Sequence, residues 1–431
     1  MSRSSSEMLE RRGGGSGGLR AALAGGSPRA AERAALRTLW GMAGSPPLRI
    51  ELWDGSGVGP QEGGGRIEIG DRGALYHLVS RPNMGFGDMF SAGRIRIDGQ
   101  LQDVLEILFR HLHNAREDRP GLVNRLWEAR PEDGASQRAA RKNIHHHYDL
   151  GNDFYELWLD REAMQYTCAY FEEPELTLEQ AQRAKMEHVC RKLQLEPGQH
   201  VIEAGCGWGG LARYMAREYD VTVRSYNISR EQLDYARRKA KEEGLDDRVE
   251  YVEDDYRNIA GSCDRFVSVG MLEHVGPANY AALAKVIERC LDSRGRGLIH
   301  TIGRNRPFGM NAWIEKRIFP GAYPPAIGEL MNLFQQAGLS VQDAENLRLH
   351  YARTLDHWLE RFDHHSEEVR QAHDEDFVRA WRLYLAGSAA SFRVGTLQLF
   401  QVTFAPEENN ELPWNRRYLY QQPATETGGA G

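Results

Sequence analysis

Cysteine is scarce in this 431-residue chain: five residues, at 168, 190, 206, 263 and 290, with no Cys-x-x-Cys pair. An odd, unpaired set excludes a disulfide framework and a cysteine-rich zinc site, and it argues for a reducing compartment. Long apolar runs are missing too. None approaches the roughly 20 residues that span a bilayer, and the N-terminus lacks the apolar core of a secretory signal. Basic excess is also absent: a net charge of −7 gives no support to nucleic-acid binding, while leaving room for a local basic patch that meets anionic lipid. What remains, 41% hydrophobic and 27% charged residues, is a globular composition, long enough for two domains.

Residues 1–30 are rich in Gly, Ser, Arg and Ala without periodicity and read as a disordered leader. Residues 31–115 read as a small α+β domain. Its elements are a helix from Ala30 to Met42, strands at Leu48–Trp53, Arg66–Ile69 and Leu75–Val79, and a last helix at Leu101–Leu112. Glycines near Pro82–Gly87 break the pattern before that helix. Residues 116–142 read as a linker, 143–405 as the main, catalytic domain and 406–431 as a tail.

The main domain alternates helices and strands. Thr177 and Gln180 form a capping box that opens a helix to Leu193. Strands are expected at 201–204, Val221–Tyr226, Val249–Val252, Phe266–Val269 and Gly297–Ile302. Helices fall at 210–218, 230–243 (with Ser229 as N-cap) and 278–291. This rhythm predicts an α/β fold with a doubly wound, mostly parallel sheet and ligands at the carboxyl ends of its strands. Segment 306–345 reads as an inserted helical lid, and strands Ser340–Leu349 and Thr396–Phe404 close the domain.

The most informative stretch is Val-Ile-Glu-Ala-Gly-Cys-Gly-Trp-Gly-Gly at 201–210. A short apolar strand ends in glycines and leads into a helix. Gly205 and Gly207 let a ligand approach the main chain. Their Gly-x-Gly-x-Gly spacing differs from the dinucleotide pattern. With Glu203 before the first glycine, it suits an S-adenosylmethionine (SAM) pocket better than a pyrophosphate cradle.

Other chemistry gathers at the remaining strand ends: Asn227 and Ser229, then Asp254, Asp255 and Tyr256, then Gly270 to His274, then His300, Ile302 and Gly303. Asp255 suits an exocyclic amine such as that of adenine, or else caps a turn. Gln232 reaches toward a ribose or is simply solvated, and Cys206 reads as a small filler. Three consecutive histidines, His145–His147, cannot all face one ion on a regular element, so no metal is expected.

Several segments together resemble cyclopropane-fatty-acyl-phospholipid synthases. They are Asn143–Tyr155 and Met164–Tyr170, the glycine loop, Ser-Val-Gly-Met-Leu-Glu-His-Val-Gly (268–276), His-Thr-Ile-Gly (300–303), 313–321 and 350–355. The likeness covers roughly residues 80–405, and Gly85–Asp88 and Ile95–Gly99 look like that family's N-terminal module. It implies a Rossmann-like class I SAM-dependent methyltransferase domain that adds a methylene from SAM across a cis double bond of a phospholipid acyl chain. It implies bicarbonate held by Cys168, Glu273, His300, Ile302 (through its main chain) and Tyr351. SAM contacts are implied at Tyr166, Gly205, Gly207, Asn227, Gln232 and Asp255. Glu203 stands where many members carry Asp, and the second strand is more polar than theirs.

The chemistry of these residue types agrees with those roles. An alkene is a poor nucleophile, so the sulfonium must be held close and aligned. Methyl transfer leaves a carbocation that needs negative charge nearby and a dry pocket. A glutamate accepts the O–H of bicarbonate, whereas a histidine and a tyrosine donate. Other outcomes stay open on this scaffold: a methyl- or methylene-branched fatty acid, methylation of a small amine, or lipid binding without turnover. The likeness further implies a cytoplasmic protein peripherally associated with the inner face of the cell membrane, and a homodimer. The first domain and the Arg304–Tyr323 segment, including Arg304, Arg306, Phe308, Trp313, Lys316, Arg317 and Phe319, could supply basic and aromatic contacts to an anionic surface, the alternative, slightly favoured, being an ordinary amphipathic lid over the active site.

Overall fold

Two sheets organise the chain, which was studied as a computed structural model describing residues 26–118 and 150–420. The predicted leader (up to residue 25), most of the linker, His145–His147 and the end of the tail lie outside the described residues.

The chain divides into two compact units. Unit 1 opens with helix α1 (Ala30–Met42), followed by β1 (Arg49–Leu52), β2 (Gly57–Val58) and β3 (Arg66–Ile69). Helices α2 (Arg72–Ser80) and α3 (Pro82–Ser91), strand β4 (Ile95–Asp98) and helix α4 (Leu101–Asp118) complete this stretch. Its sheet runs β2-β1-β3-β4, with β1 and β3 parallel and the outer pairs antiparallel.

The expected strand at Leu75–Val79 is helix instead. Its alternating look is outweighed by an N-cap, Asp71, whose carboxylate accepts from Ala74 N at 3.0 Å. Ala74 and Leu75 are buried while Tyr76 and Val79 face solvent, a helical distribution. The expected break at Pro82–Gly87 is also helical. Pro82 occupies the first turn, where its missing N–H costs nothing. Gly85 and Gly87 serve close packing there: a Cβ on Gly85 would lie 2.5 Å from His77 O, and one on Gly87 would enter the Trp313 ring.

Unit 1 also takes in Ser366–Val394. That segment holds two helices, Ser366–Ala372 and Glu375–Val394, the second packed on α3 and α4. The continuous 143–405 boundary read from the sequence runs through this excursion.

Unit 2 carries the alternating pattern. After a short helix α5 (Asn152–Glu156) come α6 (Leu178–Leu193), β5 (His200–Ala204), α7 (Gly210–Tyr219), β6 (Thr222–Asn227), α8 (Arg230–Glu242), β7 (Val249–Glu253) and β8 (Cys263–Val269). They are followed by α9 (Tyr280–Cys290), β9 (Leu291–Gly303), α10 (Ala312–Arg317, shared with unit 1), α11 (Ile327–Gln336), β10 (Leu339–Asn346), α12 (Arg348–His364) and β11 (Gln398–Pro406). The seven strands run β10-β11-β9-β8-β5-β6-β7, the last five parallel and the first two antiparallel to their neighbours. Strand order reverses between β5 and β8, where a crevice opens at the strand ends.

Local signals account for the helix starts. Thr177 and Gln180 exchange reciprocal side-chain bonds at α6, and Ser229 accepts from Gln232 N at α8. Alternate residues of each strand feed two cores: Val201, Val223, Val267 and Leu298 pack in one, and Ile202, Tyr226, Phe266 and Ile299 in the other. The sheet is thus apolar on both faces, as a parallel sheet under two helical layers requires. Segment 306–345 holds α10 and α11 before its chain joins β10.

Candidate active site

The crevice is built from backbone first. Gly205 has φ +89° and donates its N–H to Tyr226 O at 2.9 Å. A Cβ at that position would lie 2.9 Å from Met271 Cβ, so only glycine fits the turn between β5 and α7. Asn227 braces the loop from β6: its Nδ2 donates to Gly207 O at 3.2 Å and to Gln232 Oε1 at 2.9 Å. Its Oδ1 accepts from the N–H groups of Ile228 and Ser229.

All seven residues expected to hold SAM line this one pocket: Tyr166, Glu203, Gly205, Gly207, Asn227, Gln232 and Asp255. Their states differ from simple expectation in places. Asp255, buried at the end of β7, is already met by Arg257, whose Nε donates at 2.8 Å and NH2 at 3.2 Å. Glu203 is buried with its Oε2 accepting from Ser225 Oγ at 2.6 Å. Burial raises its carboxyl to about 7 against the pull of that bond and of the Lys185 and Arg213 charges.

The expected catalytic residues sit elsewhere on unit 2. Glu273, after β8, is 6% exposed; its Oε1 accepts from Ile302 N at 2.6 Å, and its Oε2 is buried without a partner. Burial lifts its carboxyl to about 7, the Ile302 N–H opposing. The main chain of Ile302, expected at the anion, gives its N–H to this carboxylate. His300 lies two residues earlier on β9, its side chain on the same sheet face as that of Ile302. Its Nε2 is buried and unpartnered, and burial holds the ring neutral, far below its ordinary pKa.

Cys168 and Tyr351 come from two further segments. The Cys168 thiol faces Ala169 O at 3.1 Å and Leu347 O at 3.9 Å, and burial pushes it up so that it stays protonated. Tyr351 is on α12, whose Thr354 Oγ accepts from Ala169 N at 3.0 Å. A run of rings leads from the pocket to Tyr351: Trp208 to Tyr155 at 4.9 Å, Tyr155 to Tyr166 at 5.5 Å, Tyr166 to Trp358 at 5.3 Å and Trp358 to Tyr351 at 5.9 Å. Of these rings Trp208 and Tyr166 line the pocket, where aromatic faces favour a cation.

Lys185 was missed in the sequence. It is fully buried on α6, donating to Gln165 Oε1 and, at 2.9 Å, to Thr167 Oγ1, two residues of the pocket wall. Burial lowers its ammonium to about 8 although the Asp160 carboxylate counters this. The signal was present: Ala181, Lys185 and Val189 recur every four residues, which puts the lysine on the apolar stripe.

Two of the residues considered for lipid contact are not on the surface. Arg304 is 2% exposed, its guanidinium 4.0 Å over the Phe308 ring and bonded to Phe308 O and Gly309 O. Trp313 is 5% exposed. Arg306, Lys316 and Arg317 are exposed. No helix among the described residues is long and apolar enough to cross a membrane, and no cluster among them has the makings of a metal site.

Residues 135–402 match the family model of mycolic acid cyclopropane synthetases. Over 399 residues the chain is 36% identical to a probable fatty acid methyltransferase of Pseudomonas putida, covering 87% of this chain and 96% of that one. It is 42% identical to the cyclopropane-fatty-acyl-phospholipid synthase of Escherichia coli K12 over 267 residues, 62% of this chain and 68% of the other. Among solved structures, mycolic acid cyclopropane synthase CmaA1 complexed with SAH and CTAB aligns at TM-score 0.58 and 30% identity, covering 61% and 97% of the two chains.

Proposed function

The chain belongs to the mycolic acid cyclopropane synthetase family and is a SAM-dependent methyltransferase of the cyclopropane synthase type, and from that premise we propose that it converts cis-unsaturated acyl chains of phospholipids to cyclopropanes. The alkene π-electrons attack the SAM methyl carbon, the S–CH3 bond breaks, and S-adenosylhomocysteine leaves. The carbocation left on the neighbouring alkene carbon closes onto the new methyl as that methyl loses a proton. Trp208 and Tyr166, on the pocket wall, exclude water and offer ring faces to the cation.

One observation carries the reading of the proton's destination. Glu273 Oε2 and His300 Nε2 are buried polar atoms without partners, and buried polar atoms are nearly always bonded. A carboxylate oxygen that accepts and a ring N–H that donates suit a small oxyanion bearing one proton. Bicarbonate fits this pair, with the protonated Cys168 thiol and Tyr351 as further donors, and when bound it would supply the base. Glu273, fixed by Ile302 N–H, orients the anion; no side chain has to become the base itself.

A second reading has specific support. The Pseudomonas putida relative, matched over nearly its whole length, is named a fatty acid methyltransferase. Proton loss elsewhere, without ring closure, gives a methyl-branched or methylene-branched chain. Mass spectrometry after incubating the protein with SAM and cis-unsaturated phospholipid vesicles separates the two. A gain of one CH2 with resistance to mild hydrogenation supports the ring. The same gain with the unsaturation retained supports the branched product. No gain with SAM still bound removes the acyl-chain reading altogether.

A further inference from the structure

Gln401 takes no part in the chemistry above, yet it is fully buried on β11 directly across from His300 on β9. Its Nε2 lies 3.1 Å from His300 Nδ1, while its Oε1 is buried and unpartnered. A neutral imidazole has one N–H and one bare nitrogen, so whatever bonds one nitrogen decides the state of the other. An amide N–H given to Nδ1 requires that nitrogen to be bare. The ring proton then sits on Nε2, the atom left without a partner.

The reverse amide orientation would accept from an Nδ1–H and leave Nε2 bare. The Glu273–His300 pair would then offer only acceptors, Nε2 and Glu273 Oε2, and would repel an anion. Protonating both nitrogens is also disfavoured. The ring is buried, and the Lys185 and Lys192 charges on α6 outweigh Glu345 on β10.

We propose that Gln401 is a positioning residue that locks His300 as the Nε2–H tautomer. The His300–Glu273 pair thereby presents one donor and one acceptor and selects an oxyanion carrying a single proton. A fully deprotonated anion would meet the Glu273 carboxylate with no proton between them. The proposal rests on the reading of Glu273 and His300 as ligands of an anion.

The test is ring-15N NMR of the histidines in full-length protein with S-adenosylhomocysteine bound, the His300 signals assigned by their loss in His300→Gln. Wild type is expected to show Nε2 protonated and Nδ1 bare, with bicarbonate shifting Nε2–H. Gln401→Met, close in size but with no N–H to give, is expected to show mixed tautomers. It should need about tenfold more bicarbonate for the same shift, the loss of one buried hydrogen bond, with S-adenosylhomocysteine affinity changed by about twofold or less. Wild type in the Nδ1–H form overturns the proposal even if the variant fails to fold. So does a Gln401→Met protein that keeps pure Nε2–H and full bicarbonate affinity. The expected tautomers in both proteins, with no response to bicarbonate, uphold the lock and overturn the anion reading instead.

Discussion

The candidate SAM pocket and the proposed Glu273–His300 niche share one sheet but are made of different material. The pocket is shaped by main chain: a left-handed Gly205, the Gly207 carbonyl held by Asn227, and a strand-order reversal that opens the crevice. Its side chains are largely satisfied among themselves, as in Asn227–Gln232 and Asp255–Arg257. The proposed niche rests on two side chains whose Glu273 Oε2 and His300 Nε2 are buried without hydrogen-bond partners. Binding a large cofactor needs shape, which glycines and turns supply cheaply. Holding a small charged reactant needs unsatisfied polar atoms in a dry place, and those lower stability unless a ligand arrives.

Breaking the niche should have the largest effect. Glu273→Gln removes the accepting charge and is expected to lower kcat by about 10²–10³, the scale of one preorganised electrostatic group, with SAM affinity nearly unchanged. Wild-type kcat should climb as pH rises through about 7, because protonation of Glu273, whose Oε1 is taken by Ile302 N, would turn Oε2 from an acceptor of the anion's O–H into a donor. Steady-state rates across that pH range, alongside calorimetric SAM binding, test both points. Equal losses in kcat and SAM affinity would mean that the two regions are not separable.

Breaking the pocket is expected to do the reverse. Gly205→Ala forces a left-handed backbone on a residue with a side chain, at about 1–2 kcal/mol, and crowds Met271. SAM affinity should fall about tenfold, while the His300 ring signals keep their tautomer. A normal KM for SAM in this variant would remove the backbone argument.

The gentlest probe is Glu203→Gln. The folded-state carboxyl is raised to about 7 from 4.5, so the folded protein holds that proton more tightly than the unfolded chain. Its contribution is fully present below pH about 4.5 and is lost as pH rises toward 7. Glutamine cannot ionise, so the decline in unfolding free energy across this window should flatten by up to about 3 kcal/mol. Urea denaturation at pH 5 and pH 7.5 reads it. An unchanged slope would assign the decline to Glu273 instead.

Legibility followed the range of the interactions. The helix starts at Thr177 and Ser229 were readable because a cap lies within three residues of what it caps. The glycine loop was readable for the same reason. Leu75–Val79 misled because five residues of alternation suit either period, and the decisive bond came from Asp71 outside the window. Arg304 read as a surface charge because nothing local announces that Phe308 and two carbonyls fold back over it. Gln401 carries no local signal at all; only strand pairing sets it against a residue 101 positions away.

By itself, the sequence determined the alternating α/β order, the strand-end placement of Glu203, Asp255 and Glu273, and the backbone freedom of the SAM loop. Each depends on periodicity or on neighbours a few residues apart. Tertiary structure alone decided that Ser366–Val394 leaves for the other unit, that Ile302 holds Glu273, that Lys185 is buried and that Gln401 faces His300. Those outcomes depend on which surfaces meet after folding, and on burial, which turns ordinary polar side chains into groups with a fixed proton and an unanswered bond.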